Sequence, residues 1–342
     1  MIIAVNTNDL SIYHIVLFIK VAKEHLLHNF IFISENPINT SLNFSENIIP
    51  VVIKNEETSF LFKAVNNKKI SSILKKYKTD VLLSERFLPN TKVPHCLIFN
   101  NKSNRKSLQK AKAIITNSQF SKKEIIAKFK IEPDKIDVVY NTANEKFGPV
   151  DFLQREKVKE KYAEGNEYFL VTVNFNSHSN LLNLLKAFSV FKKMQKSKMQ
   201  LIINSPDKIS KKFIEDIKLY KYKDEVKVIE NISEGELINI TASAYAIINL
   251  FFIEDVATPL LAMKCNVPLI VSNIGAMPEI CNDAALYINP ENYNDIAEKI
   301  MLIFKDENLR QQLIEKGREQ IKKYSVDKVA DSIWQCIIKA TL

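Results

Sequence analysis

Short apolar runs alternate with longer amphipathic stretches along this chain; the alternation stops once and then starts again. Before the break, residues 2–6, 30–34, 48–53, 81–84, 96–99, 113–117 and 136–140 read as strands, with helical spacing at 12–26, 60–77 and 121–129. Strands that are apolar at successive positions are buried on both faces, and helices crossing between parallel neighbours provide that cover. The break is residues 141–151, NTANEKFGPVD, which has no apolar period and contains Gly148-Pro149. Beyond it, strands are expected at 168–174, 200–204, 226–230, 246–250, 268–272 and 285–288, and helices at 181–194, 211–220, 234–242 and 293–304. Two helices end the sequence, 307–323 and 326–339, the second bearing Trp334, the only tryptophan. Ser121 with Glu124, and Ser233 with Glu236, have the spacing of a capping box. The pattern predicts an α/β chain of two Rossmann-like, doubly wound parallel-sheet domains facing a cleft, residues 1–147 and 148–325.

Composition narrows the function classes. A length of 342 residues with 46% hydrophobic content suffices for two packed cores. No apolar run reaches the roughly 20 residues that span a bilayer, and Met1 leads straight into a strand without a basic leader, so a cytoplasmic location is expected. The four cysteines, Cys96, Cys265, Cys281 and Cys336, lie far apart and read as buried thiols. The net charge of +9 sits in the first half: residues 1–150 hold 22 basic against 13 acidic side chains, and the remainder 26 against 26. Residues 92–130 hold ten basic residues, the first Lys92 and the last Lys130, against one acidic, Glu124. Such a face attracts anionic lipid at about 1 kcal/mol per basic residue, which would hold the protein at the inner membrane face. The competing reading is lysines that simply solvate surface helices. Nucleic acid is not expected, since aromatics are not interleaved with the basic residues. Nor is a metal, since no His, Asp or Glu cluster has ligand spacing.

Residues 246–279, AIINLFFIEDVATPLLAMKCNVPLIVSNIGAMPE, form a strand, loop, helix, strand unit. This segment resembles the signature of the retaining family-4 (group 1) glycosyltransferases, in which two glutamates with seven residues between them flank a Gly-rich loop. An ungapped match through Ala262-Met263, Cys265, Val267-Pro268 and Ser272-Asn273 puts Ile253 and Leu261 at the glutamate positions. A one-residue slip recruits Glu254 instead, but the later matches fail. The resemblance extends over residues 111–342, while residues 1–100 share only the strand order and the opening IIAVNT. It implies a GT-B fold whose last helix, within 326–342, joins the first domain. It also implies transfer of a hexose from a UDP- or GDP-sugar to a glycan or lipid-linked acceptor, with retention and without a metal, in cell-surface polysaccharide synthesis.

Residue by residue, the chain departs from that family at four places. Residues 6–12, NTNDLSI, have no glycine where a Gly-rich loop is expected, and the whole chain has only five glycines. Asn100 and Asn101 stand where the family has a His-Asp pair, and an amide neither acts as a base nor holds charge. His178 and Ser179 replace an Arg-Lys pair that contacts the donor diphosphate. Ile253 and Leu261 replace the glutamates. The catalytic residues are therefore not assigned. The donor-side candidates are Asn174, His178, Ser179, Asn204, Asn231, Glu254, Asp255 and Thr258; the acceptor-side candidates are Asn8, His14, Asn100 and Asn101. Glu279 reads as the charge at a helix N-terminus. A second class stays open: a catalytically silent GT-B protein that binds a partner glycosyltransferase, a glycan or a membrane.

Overall fold

The computed structural model describes residues 1–38, 42–53, 62–100, 102–173, 178–206, 208, 210–250 and 256–342. In chain order its first elements are β1 (Ile2–Asn6), α1 (Ile12–Glu24), β2 (Asn29–Ser34), β3 (Ile48–Val52), α2 (Phe62–Lys76), β4 (Val81–Ser84), β5 (His95–Ile98), α3 (Arg105–Lys110), β6 (Ala113–Thr116), α4 (Gln119–Phe129) and β7 (Ile136–Val138). There follow α5 (Phe152–Ala163), β8 (Tyr168–Thr172), α6 (His178–Gln195), β9 (Gln200–Ser205), α7 (Lys211–Lys218), β10 (Val226–Glu230), α8 (Glu234–Ala242), β11 (Ala246–Asn249) and α9 (Ala257–Lys264). The last are β12 (Leu269–Ser272), α10 (Met277–Cys281), β13 (Ala285–Ile288), α11 (Tyr293–Lys305), α12 (Glu307–Ile321) and α13 (Val326–Thr341). The chain divides into two compact units, one of Met1–Tyr140 with Val326–Leu342 and one of Asn141–Ser325.

The first unit is built on a parallel sheet of order β3-β2-β1-β4-β5-β6-β7. Its strands alternate between two cores, as a period of two requires. Ile3, Val5, Phe30, Phe32, Leu83 and Cys96 face α1 and α13; Ala4, Ile31, Ile33 and Leu82 face the core that includes Ile70 and Leu74 of α2. Helix α13 presents Val329, Ala330, Ile333, Cys336, Ile337 and Ala340 as one buried stripe at helical spacing. Trp334 stacks on His25 with ring centroids 3.6 Å apart.

The second unit repeats the plan with order β10-β9-β8-β11-β12-β13. Phe169 of β8 meets Phe191 of α6 edge to face, within a core that also holds Phe188, Leu201 and Ile248. All four cysteines are buried and free. The Ser233–Glu236 capping box forms with both of its hydrogen bonds. The Ser121–Glu124 box does not: Ser118 caps α4 by accepting from the Ser121 N–H, so the helix begins at Gln119. Two helices absent from the apolar pattern, α3 and α5, complete the cover.

Candidate functional site

Buried polar residues gather at the carboxyl ends of the strands: Asn6, Ser34 and Ser84 in the first unit, and Asn204, Ser205, Asn249 and Ser272 in the second. A parallel sheet brings all its strand ends to one edge, and ligands gather where the crossovers diverge. That point lies between β1 and β4 in the first sheet and between β8 and β11 in the second.

In the first unit, the loops after β1 and β4 meet through the Arg86–Asp9 ion pair, 2.9 Å long. Two cavities share this pair as a wall. One, of about 240 Å³, is also lined by Glu85, Phe87, Asn100 and Lys102. The other, of about 150 Å³, is lined by Asn6, Asn8, Glu35, Asn66 and Ile70. Asn100 donates from Nδ2 to Glu85 Oε2 at 2.8 Å, and its Oδ1 accepts from the Lys102 N–H at 3.0 Å. Burial pushes the Glu85 carboxyl up, with nearby Asp9 adding to the shift and Asn100 and Lys102 opposing it. Asn8 Oδ1 accepts from the Glu35 N–H at 2.6 Å. Asn8 and Asn100 are thus brought to neighbouring cavities. His14 lines neither; Ser11 caps α1 by accepting the His14 N–H, and burial lowers the His14 pKa. Asn101 lies outside the described residues. Sequence reasoning missed Asp9, Glu35, Asn66, Glu85 and Arg86. The available signal was position, since Glu35 and Glu85 each directly follow a strand.

In the second unit, Asn174, Ile253, Glu254 and Asp255 lie outside the described residues. His178 and Ser179 open α6, and their side chains are also outside that description. The turn they begin is fixed by a residue that sequence reasoning passed over. Buried Asn180 donates from Nδ2 to the Leu250 carbonyl at 3.0 Å, joining the start of α6 to the end of β11. Asn204 ends β9 with 3% exposure, and its Oδ1 has no hydrogen-bond partner among the described residues. Exposed Asn231 follows β10 at φ 52°, a left-handed conformation that Asn tolerates. Thr258 and Leu261 lie on α9, both half-buried. The first turns of α6 and α9 contain no acidic residue, and the positive ends of both helix dipoles lie there. Glu279 lies in the first turn of α10, the position expected of it. Among the described residues, no group of three His, Cys, Asp or Glu could hold a metal ion, and no helix is long and apolar enough to cross a membrane.

Residues 154–320 match the family model "Glycosyl transferases group 1". The O-antigen chain mannosyltransferase B of Escherichia coli is 26% identical over 235 residues, 66% of this chain and 60% of that protein. The match therefore spans about three-fifths of that relative's own length. Among solved structures, a glycosyltransferase from Rickettsia africae ESF-5 superposes with a TM-score of 0.79 at 20% identity, covering 98% of this chain and 97% of that one. Anabaena Alr3699/HepE, in complex with UDP and glucose, superposes with a TM-score of 0.76 at 13% identity, covering 99% of each chain. These likenesses place the chain in the GT-B fold.

Proposed function

Because the chain belongs to the group 1 glycosyltransferases through residues 154–320 and carries their GT-B fold, we propose that it transfers a hexose from a UDP- or GDP-sugar to a glycan or lipid-linked acceptor in cell-surface polysaccharide synthesis. The reading includes retention of configuration, as in family 4, and independence from a metal. The observation that carries it is the edge of the second sheet, where the first turns of α6 and α9 hold no acidic residue. Helix N-termini bind phosphate through unsatisfied backbone N–H groups and the helix dipole. In this reading they hold the donor diphosphate, partly replacing the charges lost at His178 and Ser179. A lost charge-assisted hydrogen bond costs roughly 1.5–3 kcal/mol, so donor affinity rests on the remaining backbone contacts and on His178 when protonated. Asn204, whose Oδ1 has no partner among the described residues, is a polar group suited to a donor hydroxyl.

The complex of Alr3699/HepE supports UDP as the nucleotide, and the mannosyltransferase relative supports mannose as the sugar. The test is thermal unfolding with UDP, GDP and their sugars. A ligand at about 100 times its Kd adds about 2.7 kcal/mol, which raises Tm by several degrees in a domain of this size. His178→Ala is expected to reduce that rise. Absence of a rise with every nucleotide would remove the donor reading.

A second proposal concerns the membrane. The ten basic residues of 92–130 are exposed except Lys122, which donates to the Ile136 carbonyl, and none is ion-paired among the described residues. Charges left without ion-pair partners in this way favour an anionic surface over internal structure. Reversal at Lys106, Lys110 and Lys112 is expected to abolish sedimentation with phosphatidylglycerol vesicles; unchanged sedimentation would eliminate this role. The competing function, a catalytically silent protein bound to a partner glycosyltransferase, is favoured by one observation. Leu261 stands on α9 where the resemblance calls for a glutamate, and it cannot accept a hydrogen bond from a sugar. Recovery of a partner transferase without any donor binding would decide for that alternative.

A further inference from the structure

We propose that Asn180 and Asn183, one turn apart on α6, are positioning residues for the donor diphosphate, acting through the backbone of the first turn of α6 rather than by touching the ligand. That they serve a diphosphate rests on the donor reading above; the tethering of the helix does not.

The two amides reach from one helix to the ends of two strands. Asn180 is 2% exposed, and its Nδ2 donates at 3.0 Å to the carbonyl of Leu250, the residue that directly follows β11. Asn183 donates from Nδ2 to the Pro290 carbonyl at 3.1 Å and to the Glu291 carbonyl at 3.3 Å, just past the end of β13. Residues three apart share a helix face, so one face of α6 is held at two points close to its start. Strand β11 pairs with β8, which leads into α6, and the crossovers from these two strands diverge. Asn180 therefore bridges the switch point of the second sheet, where ligands of such sheets bind.

Asparagine is a poor choice for a helix on local grounds, because its side chain competes for backbone hydrogen bonds. Two within the opening HSNLLN weaken the start of α6 unless tertiary bonds engage them, and both are engaged. The first four N–H groups of a helix have no intrahelical partner, and helix ends fray. Phosphate is held there only while those N–H groups converge on it. Fixing the turn beforehand removes the ordering cost from binding. A neutral amide does this without bringing negative charge to the end of the helix that phosphate approaches, as an aspartate would. A nucleoside, which has no diphosphate, is indifferent to that convergence.

Ligand-observed NMR titrations of the full chain compare UDP with uridine and GDP with guanosine. In the wild type, one diphosphate is expected to bind at least about 10-fold tighter than its nucleoside, the gain from a charge-assisted hydrogen bond. Asn180→Leu removes the tether at similar side-chain volume and should lower that ratio about 10-fold, with nucleoside affinity unchanged. Asn183→Ala, at a half-buried position, should lower it in the same direction and carries the test if Asn180→Leu fails to fold. A merely structural role would instead lower Tm and weaken nucleoside and diphosphate in parallel. Such parallel loss, or a wild-type ratio in either folded variant, would overturn the assignment and leave the donor reading standing. No binding of UDP or GDP by the wild type would remove the donor reading and this assignment with it.

Discussion

At the scale of single residues, His95 shows how a strand end controls the charge of a buried group. Its Nδ1 lies 3.0 Å from the Val93 carbonyl, so that nitrogen carries the proton, and Nε2 accepts the Leu88 N–H at 3.2 Å. A second proton would have to sit on Nε2, facing a donor. Burial pushes the His95 pKa down to about 4 from 6.5, with the Val93 bond opposing the shift. The unfolded chain therefore binds more protons than the fold between those values, and stability falls as pH falls from 6.5 towards 4. At 1.36 kcal/mol per unit the loss approaches about 3 kcal/mol. Urea denaturation across this range should show that slope in the wild type and a shallower one in His95→Gln, whose amide can still accept from Leu88. Equal slopes would show that His95 is protonated in the fold. Nothing around His95 in sequence marks it as special. Glu85 is similar: it meets Asn100, and His95 meets Leu88, across the loops that the β4–β5 pairing brings together.

Single elements were legible where their apolar run is continuous and obscure where it is short or weak. The thirteen strands among the described residues follow from apolar runs; most are buried on both faces and have little tolerance for polar residues, while the edge strands β3 and β10 are partly exposed. Helix α5 carries FLQREKVKEKYA, with Phe152 72% exposed, so its apolar period is too weak to read. Helix α3 has only six residues, with Leu108 as its buried contact. The cap of α4 was misplaced by three residues because Ser118 and Ser121 are both competent caps; the geometry chooses Ser118, while Ser121 Oγ donates to Asn117 Oδ1. Close packing of α12 on α9 has a sharper consequence. A Cβ on Gly317 would lie 3.2 Å from Met263 Cγ, on the helix that bears Thr258 and Leu261. Gly317→Val adds a β-branched side chain at that contact and is expected to destabilise the second unit by about 1–3 kcal/mol. It should also reduce the nucleotide-induced rise in Tm by displacing α9. Chemical denaturation and the nucleotide titration check the two effects separately, and wild-type values in both would show that α9 tolerates the displacement.

For the whole molecule, the double α/β pattern, the interruption near Asn141 and the density of matching residues beyond 111 made the fold readable from sequence. The site was harder to read because its identity depends on what has been replaced. Asn100, which the resemblance sets where the family has a charged pair, is uninformative until the structure shows Glu85 2.8 Å away. A carboxylate is thus supplied to the edge of the first sheet by the neighbouring strand, which argues against reading each replaced residue as a lost function. The proposed donor side rests on helix N-termini, which no single residue encodes.

Turnover is the most direct test of the central claim. Release of nucleoside diphosphate would be followed with GDP-mannose or UDP-glucose, each with and without lipid-linked glycan acceptors. The proposed function predicts release that requires both donor and acceptor, and that falls in His178→Ala. Donor binding without release, across all combinations of donor and acceptor, would contradict it and identify a chain that has kept the fold of a glycosyltransferase without its reaction.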